Sequence, residues 1–195
     1  MRQIILASTS PRRKNLLKQL IGDNFKIVSS SYEEDNNLDL DPKNLVLHHS
    51  LQKGRSVAEK LKTGVVISAD TLIVLDNKII GKPHTKENSI STLKNISGKN
   101  ILVVTGIIVI DVDKKKELQD YEFTTVKITK LSEKEINDYV NSGEPLDKAG
   151  AFGIQEKGAF MVEKIDGDYF NVAGLPLFKL TKLLEKIGVS IFGYK

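Results

Sequence analysis

Short continuous apolar runs alternate along this chain with longer stretches that carry helix start and stop signals, and few folds accept that alternation. Ile4-Ile5-Leu6-Ala7 and Val65-Val66-Ile67 have the length and branching of buried strands. The first stops at Ser8-Thr9-Ser10-Pro11, where Ser10 is placed to cap a helix with Pro11 at its first position and Leu16, Leu17 and Leu20 on one face. Further helices are expected over 42–61, from Thr85 to about Ile96, from the Ser132-Glu133-Lys134-Glu135 capping box to Gly143, and over 176–187. Strands are expected at 26–29, 72–75, 78–80, 101–104, 107–112 and 122–129, with Asp76-Asn77 as a hairpin turn. A glycine-rich segment spans 143–174, and its part over 147–155 has a bulged strand or tight loop as one reading. Helices mixed with both crossover and hairpin connections predict an α/β fold with a mixed, twisted sheet and flanking helices.

With 195 residues, the chain is large enough for one substantial core or two modest lobes. No apolar run approaches the ~20 residues of a membrane span, no cysteine is available for disulfide, thiolate or nucleophile, and no secretory leader is apparent, so a cytoplasmic protein is expected. The formal charge of +4 comes from scattered lysines, and the one basic run, Lys114-Lys115-Lys116, sits among Asp111, Asp113 and Glu117. That run reads as a solvated hairpin tip, and nucleic-acid binding is not expected. Arginine is rare, confined to Arg2, Arg12, Arg13 and Arg55, so the adjacent pair asks for a reason. A guanidinium offers phosphate a planar fork that lysine cannot.

Four segments could carry chemistry. The strand–turn–helix around Ser8, Ser10, Arg12 and Arg13 would combine helix N–H groups, hydroxyls and guanidiniums into an anion site, an ordinary N-cap with surface arginines being the alternative. Asp70 follows a buried run and would ligate a cation or act as a base, turn formation being the alternative. Lys82, within Gly81-Lys82-Pro83, and Lys53, on a polar helix face, are weaker signals. In Asp147-Lys148-Ala149-Gly150-Ala151-Phe152-Gly153-Ile154-Gln155, small residues would let a ligand approach the backbone while Gln155 paired with a base edge. His48, His49 and His84 lack ligand spacing, and His48 and His49, about 100° apart on a helix, are assigned surface and packing roles. Together, phosphate donors, a carboxylate and an amide reader suggest metal-assisted chemistry on a nucleotide.

The same residues carry a family likeness. Leu6-Ala7-Ser8-Thr9-Ser10-Pro11-Arg12-Arg13, Ala69-Asp70-Thr71, Gly81-Lys82-Pro83, Gly143-Glu144-Pro145-Leu146-Asp147-Lys148-Ala149-Gly150 and Gly174-Leu175-Pro176-Leu177 resemble, in order, the blocks of the Maf nucleoside triphosphate pyrophosphatases. The resemblance implies one Maf-type domain over 1–195, a Maf/ITPase-like fold with two lobes around a central cleft, and a commonly dimeric state. It also implies hydrolysis of a nucleoside triphosphate to the monophosphate and pyrophosphate with a divalent cation, Mg²⁺ or Mn²⁺, as a house-cleaning activity.

Carried over position by position, the catalytic carboxylate falls on Asp70, which would also serve the metal. The acidic metal-site position falls on Glu34, or on Glu33 if the alignment of that loop shifts by one. Phosphate-binding lysines fall on Lys53 and Lys82, the Ser/Arg loop on Ser8, Ser10, Arg12 and Arg13, and substrate choice on Arg12, Thr71 and Gln155. Gln155 and the Tyr169-Phe170-Asn171-Val172 segment resemble the branch acting on dTTP and UTP, with modified pyrimidine triphosphates as further substrates, rather than the 7-methyl-GTP branch. Glu156 stands where that pattern has glycine, which bears on selectivity, and Gly54 stands where it has alanine. The expected reaction is in-line attack of metal-activated water on the α-phosphorus. The alternative implied by the family's link to septum formation is a non-enzymatic regulator of cell division that binds nucleotide or a partner.

Overall fold

A computed structural model describes residues 2–35 and 37–194. Within them the order is β1 (Ile4–Leu6), α1 (Pro11–Ile21), β2 (Phe25–Ile27), α2 (Pro42–Ala58), β3 (Val65–Leu75), β4 (Lys78–Ile80), α3 (Lys86–Ile96) and β5 (Asn100–Asp111). There follow β6 (Lys116–Ile128), α4 (Glu133–Asn141), β7 (Val162–Asp166), α5 (Tyr169–Val172) and α6 (Leu177–Lys186). The strands form one sheet in the order β2-β1-β3-β5-β6-β7, with β4 added to β3. It is mixed as expected: β1 runs parallel to β2 and β3, whereas β4 is antiparallel to β3 and β7 to β6.

The chain divides into two compact units. The first holds 1–70, 105–122 and 174–195. Its core contains Ile5 of β1 and Ala7 just after it, Val66 of β3, and Ile108 and Ile110 of β5, packed with Val57 of α2. Period-two spacing puts each strand's contribution on one face, and that face is where α2 settles. Gly106 lets helix and strand approach: a Cβ there would lie 2.7 Å from the Val46 carbonyl carbon and oxygen. The second unit holds 71–104 and 123–173. In it α3 packs on α4, burying Leu93 and Ile96 from one and Ile136, Tyr139 and Val140 from the other.

The start signals hold. Ser10, Thr85 and Ser132 each accept a hydrogen bond from the backbone N–H three residues on, and Ser132 and Glu135 complete the capping box. Asp76 and Asn77 both adopt positive φ, the geometry of a tight hairpin turn between β3 and β4.

Two expectations need correcting. The runs on either side of 68–71 are one eleven-residue strand, β3, because Ser68 and Asp70 find polar partners on α2 and need no turn to reach solvent. Likewise 101–104 and 107–112 join through Thr105 and Gly106 into β5. The glycine-rich segment has no bulged strand over 147–155. It contains three 3-10 turns, Glu144–Asp147, Ala149–Ala151 and Lys157–Met161, followed by β7 and α5. Lys114 to Lys116 do form an exposed tip between β5 and β6.

Candidate active site

The centre of the first unit's polar cluster is Lys53. Alternation along β3 gives Val66, Ser68 and Asp70 a common face, and each meets α2 differently. Val66 packs with Val57, Ser68 Oγ donates to the Ser50 carbonyl at 2.6 Å, and Asp70 Oδ1 accepts from Lys53 Nζ at 2.6 Å. Gly54 gives Ser68 its room, since a Cβ there would lie 2.7 Å from Ser68 Oγ. This close approach accounts for glycine at 54. Lys53 Nζ also lies 2.5 Å from Glu34 Oε1, so one ammonium joins two carboxylates. Glu34, rather than Glu33, is thus the acid of this loop that the structure brings to Lys53 and Asp70.

Asp70 is 4% exposed, and its Oδ2 is buried with no hydrogen-bond partner. A carboxylate oxygen removed from water and left unpaired is costly unless a ligand answers it. Among the described residues no group of three or more His, Cys, Asp or Glu side chains could hold a metal ion. Two carboxylates, one with an unanswered oxygen, nevertheless suit a magnesium-type ion, which is commonly held by one or two carboxylates together with substrate phosphates.

The loop carrying Glu34 is tied to the helix carrying Lys53. Tyr32 Oη lies 2.9 Å from His49 Nδ1, and the Ser30 and Ser56 hydroxyls lie 2.8 Å apart. Burial lowers the His49 pKa below its ordinary value of 6.5, keeping the ring neutral at neutral pH, and burial beside Glu34 raises that of Tyr32. Sequence reasoning assigned His49 to packing, which holds, but missed its tie to the acidic loop. Its spacing of four residues before Lys53, on the same helical face, was the available signal.

At the start of α1, the Ser10 hydroxyl accepts from Arg13 N–H at 3.5 Å and the Ser8 hydroxyl accepts from Ser10 N–H at 3.3 Å. Each hydroxyl therefore keeps a proton to donate. Arg13 Nε donates to the Gly174 carbonyl at 2.8 Å, and its Nη1 to Ser8 Oγ at 3.5 Å. Burial lowers the Arg13 pKa, opposed by the charge of Asp70. Arg12, half-buried, is its neighbour on the same helical turn. The arginines without an assigned role prove structural: Arg2 pairs with Asp111 and Asp113, and Arg55 with Glu117 at 2.7 Å.

Three further candidates lie in the second unit. Thr71 follows Asp70 in β3, so alternation turns it to the other face. Lys82 is exposed in the irregular segment after β4, and Gln155 is exposed in the turn after Gly153. Their segments are connected through Gly150, whose N–H donates to the Gly81 carbonyl at 3.2 Å. A Cβ on Gly150 would lie 2.5 Å from Ile73 Cδ1, and its φ of +66° also favours glycine.

Comparison with known proteins bears on the family and the fold. The chain is 56% identical over 192 residues to the dTTP/UTP pyrophosphatase of Methanosarcina barkeri and 53% identical over 192 residues to that of Methanococcoides burtonii, covering 98% of each chain in both cases. It is 45% identical over 191 residues to the enzyme of that name from Dictyoglomus turgidum, covering 97% of this chain and 98% of the relative. Among solved structures, a HAM1 protein from Coxiella burnetii shares the fold with a TM-score of 0.57 at 16% identity, over 95% of this chain and 100% of that one. The model of the family described as Maf-like protein matches residues 3–187, and the chain belongs to the Maf family.

Proposed function

We propose that the chain acts as one Maf-type domain over residues 1–195 and hydrolyses dTTP and UTP to the monophosphate and pyrophosphate, in the cytoplasm. The observation that carries this reading is the Glu34–Lys53–Asp70 cluster, with a buried, unpartnered Asp70 oxygen beside a lysine. The relatives' shared name, dTTP/UTP pyrophosphatase, supports the choice of substrate. Among the described residues no helix is long and apolar enough to cross a membrane.

Asp70 is assigned the proton of the attacking water, which it takes as the oxygen attacks the α-phosphorus in line with the departing pyrophosphate. Lys53 holds the Asp70 carboxylate in one orientation and contributes positive charge beside it. Ser8, Ser10 and the N–H groups at the start of α1 donate to phosphate oxygens, and Arg12 and Arg13 offset the charge that grows on them. Lys82 is assigned to the pyrophosphate, Thr71 and Gln155 to the nucleoside. A divalent cation, Mg²⁺ or Mn²⁺, would be held by Asp70 and Glu34 and would supply Lewis-acid stabilisation of phosphate charge.

The test is pyrophosphate release across canonical and modified triphosphates, each with Mg²⁺, with Mn²⁺ and with a chelator. Release that is fastest for dTTP and UTP and abolished by the chelator is expected. No release from any triphosphate with either cation would overturn the proposal in favour of a non-enzymatic regulator.

A further inference from the structure

We propose that the ion pair between Lys148 and Glu156 is a clamp that fixes the position of Gln155 and so sets discrimination between a uracil or thymine edge and a cytosine edge. The inference rests on the proposed reading of the base by Gln155. Lys148 is 5% exposed, an unusual position for a lysine. Its Nζ lies 2.8 Å from the Glu144 carbonyl, 3.0 Å from Asp147 Oδ1 and 3.2 Å from Glu156 Oε2. An ammonium group has three protons, and here three oxygens surround it.

The stem of the same lysine supports the other end of the turn. A Cβ on Gly153 would lie 2.8 Å from Lys148 Cε and 3.0 Å from Cδ, so the Gly153 backbone rides directly on the chain of methylenes. Glu156 N–H donates back to the Gly153 carbonyl at 3.3 Å, closing the turn. Beyond it, the Glu144 carboxylate accepts from Lys157 N–H at 3.1 Å and Gly158 N–H at 2.9 Å, as well as from Tyr139 Oη at 2.8 Å. Gln155 therefore projects from a turn held on both sides, by one buried lysine and one half-buried carboxylate. The negative charge that Glu156 adds to this segment is answered by Lys148.

Uracil and thymine present an acceptor at O4 and a donor at N3, and cytosine presents the reverse. A carboxamide can match either, but only in opposite orientations. Discrimination then depends on delivering the amide to one place in one orientation, which a fixed backbone does and a mobile turn does not. Loss of the clamp should weaken binding of the preferred base and leave the phosphate chemistry alone.

The experiment compares kcat and KM for UTP and CTP, with Mg²⁺, in wild type, Glu156→Gln, Gln155→Ala and the double variant. Glu156→Gln removes the charge at nearly constant size. It is expected to raise KM for UTP and reduce the UTP/CTP ratio of kcat/KM about three- to five-fold, with kcat unchanged, as befits a partly exposed pair. In the Gln155→Ala background the same substitution should have no further effect on the ratio. If Gln155→Ala lowers the ratio and Glu156→Gln does not, the clamp is refuted while the reading by Gln155 stands. If Gln155→Ala leaves the ratio unchanged, that reading fails and the clamp fails with it. Should Glu156→Gln not fold, Glu156→Ala removes the same charge without adding backbone freedom and gives the same comparison. A fall in kcat equal to the fall in kcat/KM would indicate a general structural effect and overturn the proposal.

Discussion

Asp70→Asn separates the chemistry proposed for this site from its contribution to the fold. The substitution exchanges one carboxylate oxygen for a nitrogen of nearly the same size, at a side chain 4% exposed. Removing one partner of a buried ion pair costs about 3–5 kcal/mol when the remaining charge is left alone. Lys53 is not left alone, because Glu34 Oε1 still lies 2.5 Å from its ammonium, and the new amide oxygen can accept where Oδ1 did. The net loss should therefore be only ~1–2 kcal/mol. In a chain of this length that lowers Tm by about 2–8 °C, leaving a folded protein at assay temperature. Turnover should fall much further. An amide cannot take the water's proton, and a positioned base is worth ~10²–10⁴-fold, so kcat for UTP should drop on the order of a thousand-fold. Pyrophosphate release under saturating UTP and Mg²⁺, run beside a thermal melt of the same sample, measures both quantities. A folded Asp70→Asn protein with kcat within about three-fold of wild type would refute the role given to Asp70.

Three other perturbations probe separate parts of the account. Glu34→Gln should lower kcat/KM ten-fold or more, on the order expected for a charge beside the reacting phosphates, whereas Glu33→Gln should leave it within about two-fold; steady-state kinetics of the pair checks this. His49 has a pKa depressed below 6.5 by burial, so the unfolded chain binds the extra proton first, and stability from this group is complete above 6.5 and lost as pH falls through the folded value. Melting curves from about pH 7.5 to about pH 5 should show the wild type losing Tm more steeply than His49→Leu over that window. Gly106→Ala would drive a methyl to 2.7 Å from the Val46 backbone, and chemical denaturation should show a loss of about 2–3 kcal/mol.

Local signals in the sequence foretold much of this molecule, and the misses share a cause. Ser10, Thr85 and the Ser132–Glu135 box marked helix starts because capping is settled within four residues. The Asp76-Asn77 turn was readable for the same reason. Ser68 and Asp70 broke an apolar run and left a turn open as the alternative at Asp70, yet β3 runs through them because Ser50 and Lys53, distant in sequence, supply the partners that water would otherwise provide. Polar residues inside a strand are legible only when the facing helix is known. Composition flagged the Arg12-Arg13 pair but did not foretell that Arg13 would spend its Nε proton on the Gly174 carbonyl. Glu156 looked like an added negative charge close to the base reader, and only the fold brings Lys148 to it.

The central claim, attack of water at the α-phosphorus, is tested most directly by hydrolysing UTP with this protein in ¹⁸O-labelled water and weighing the products. The account predicts the label in UMP and unlabelled pyrophosphate. Label in pyrophosphate or inorganic phosphate, or no hydrolysis at all, would contradict it.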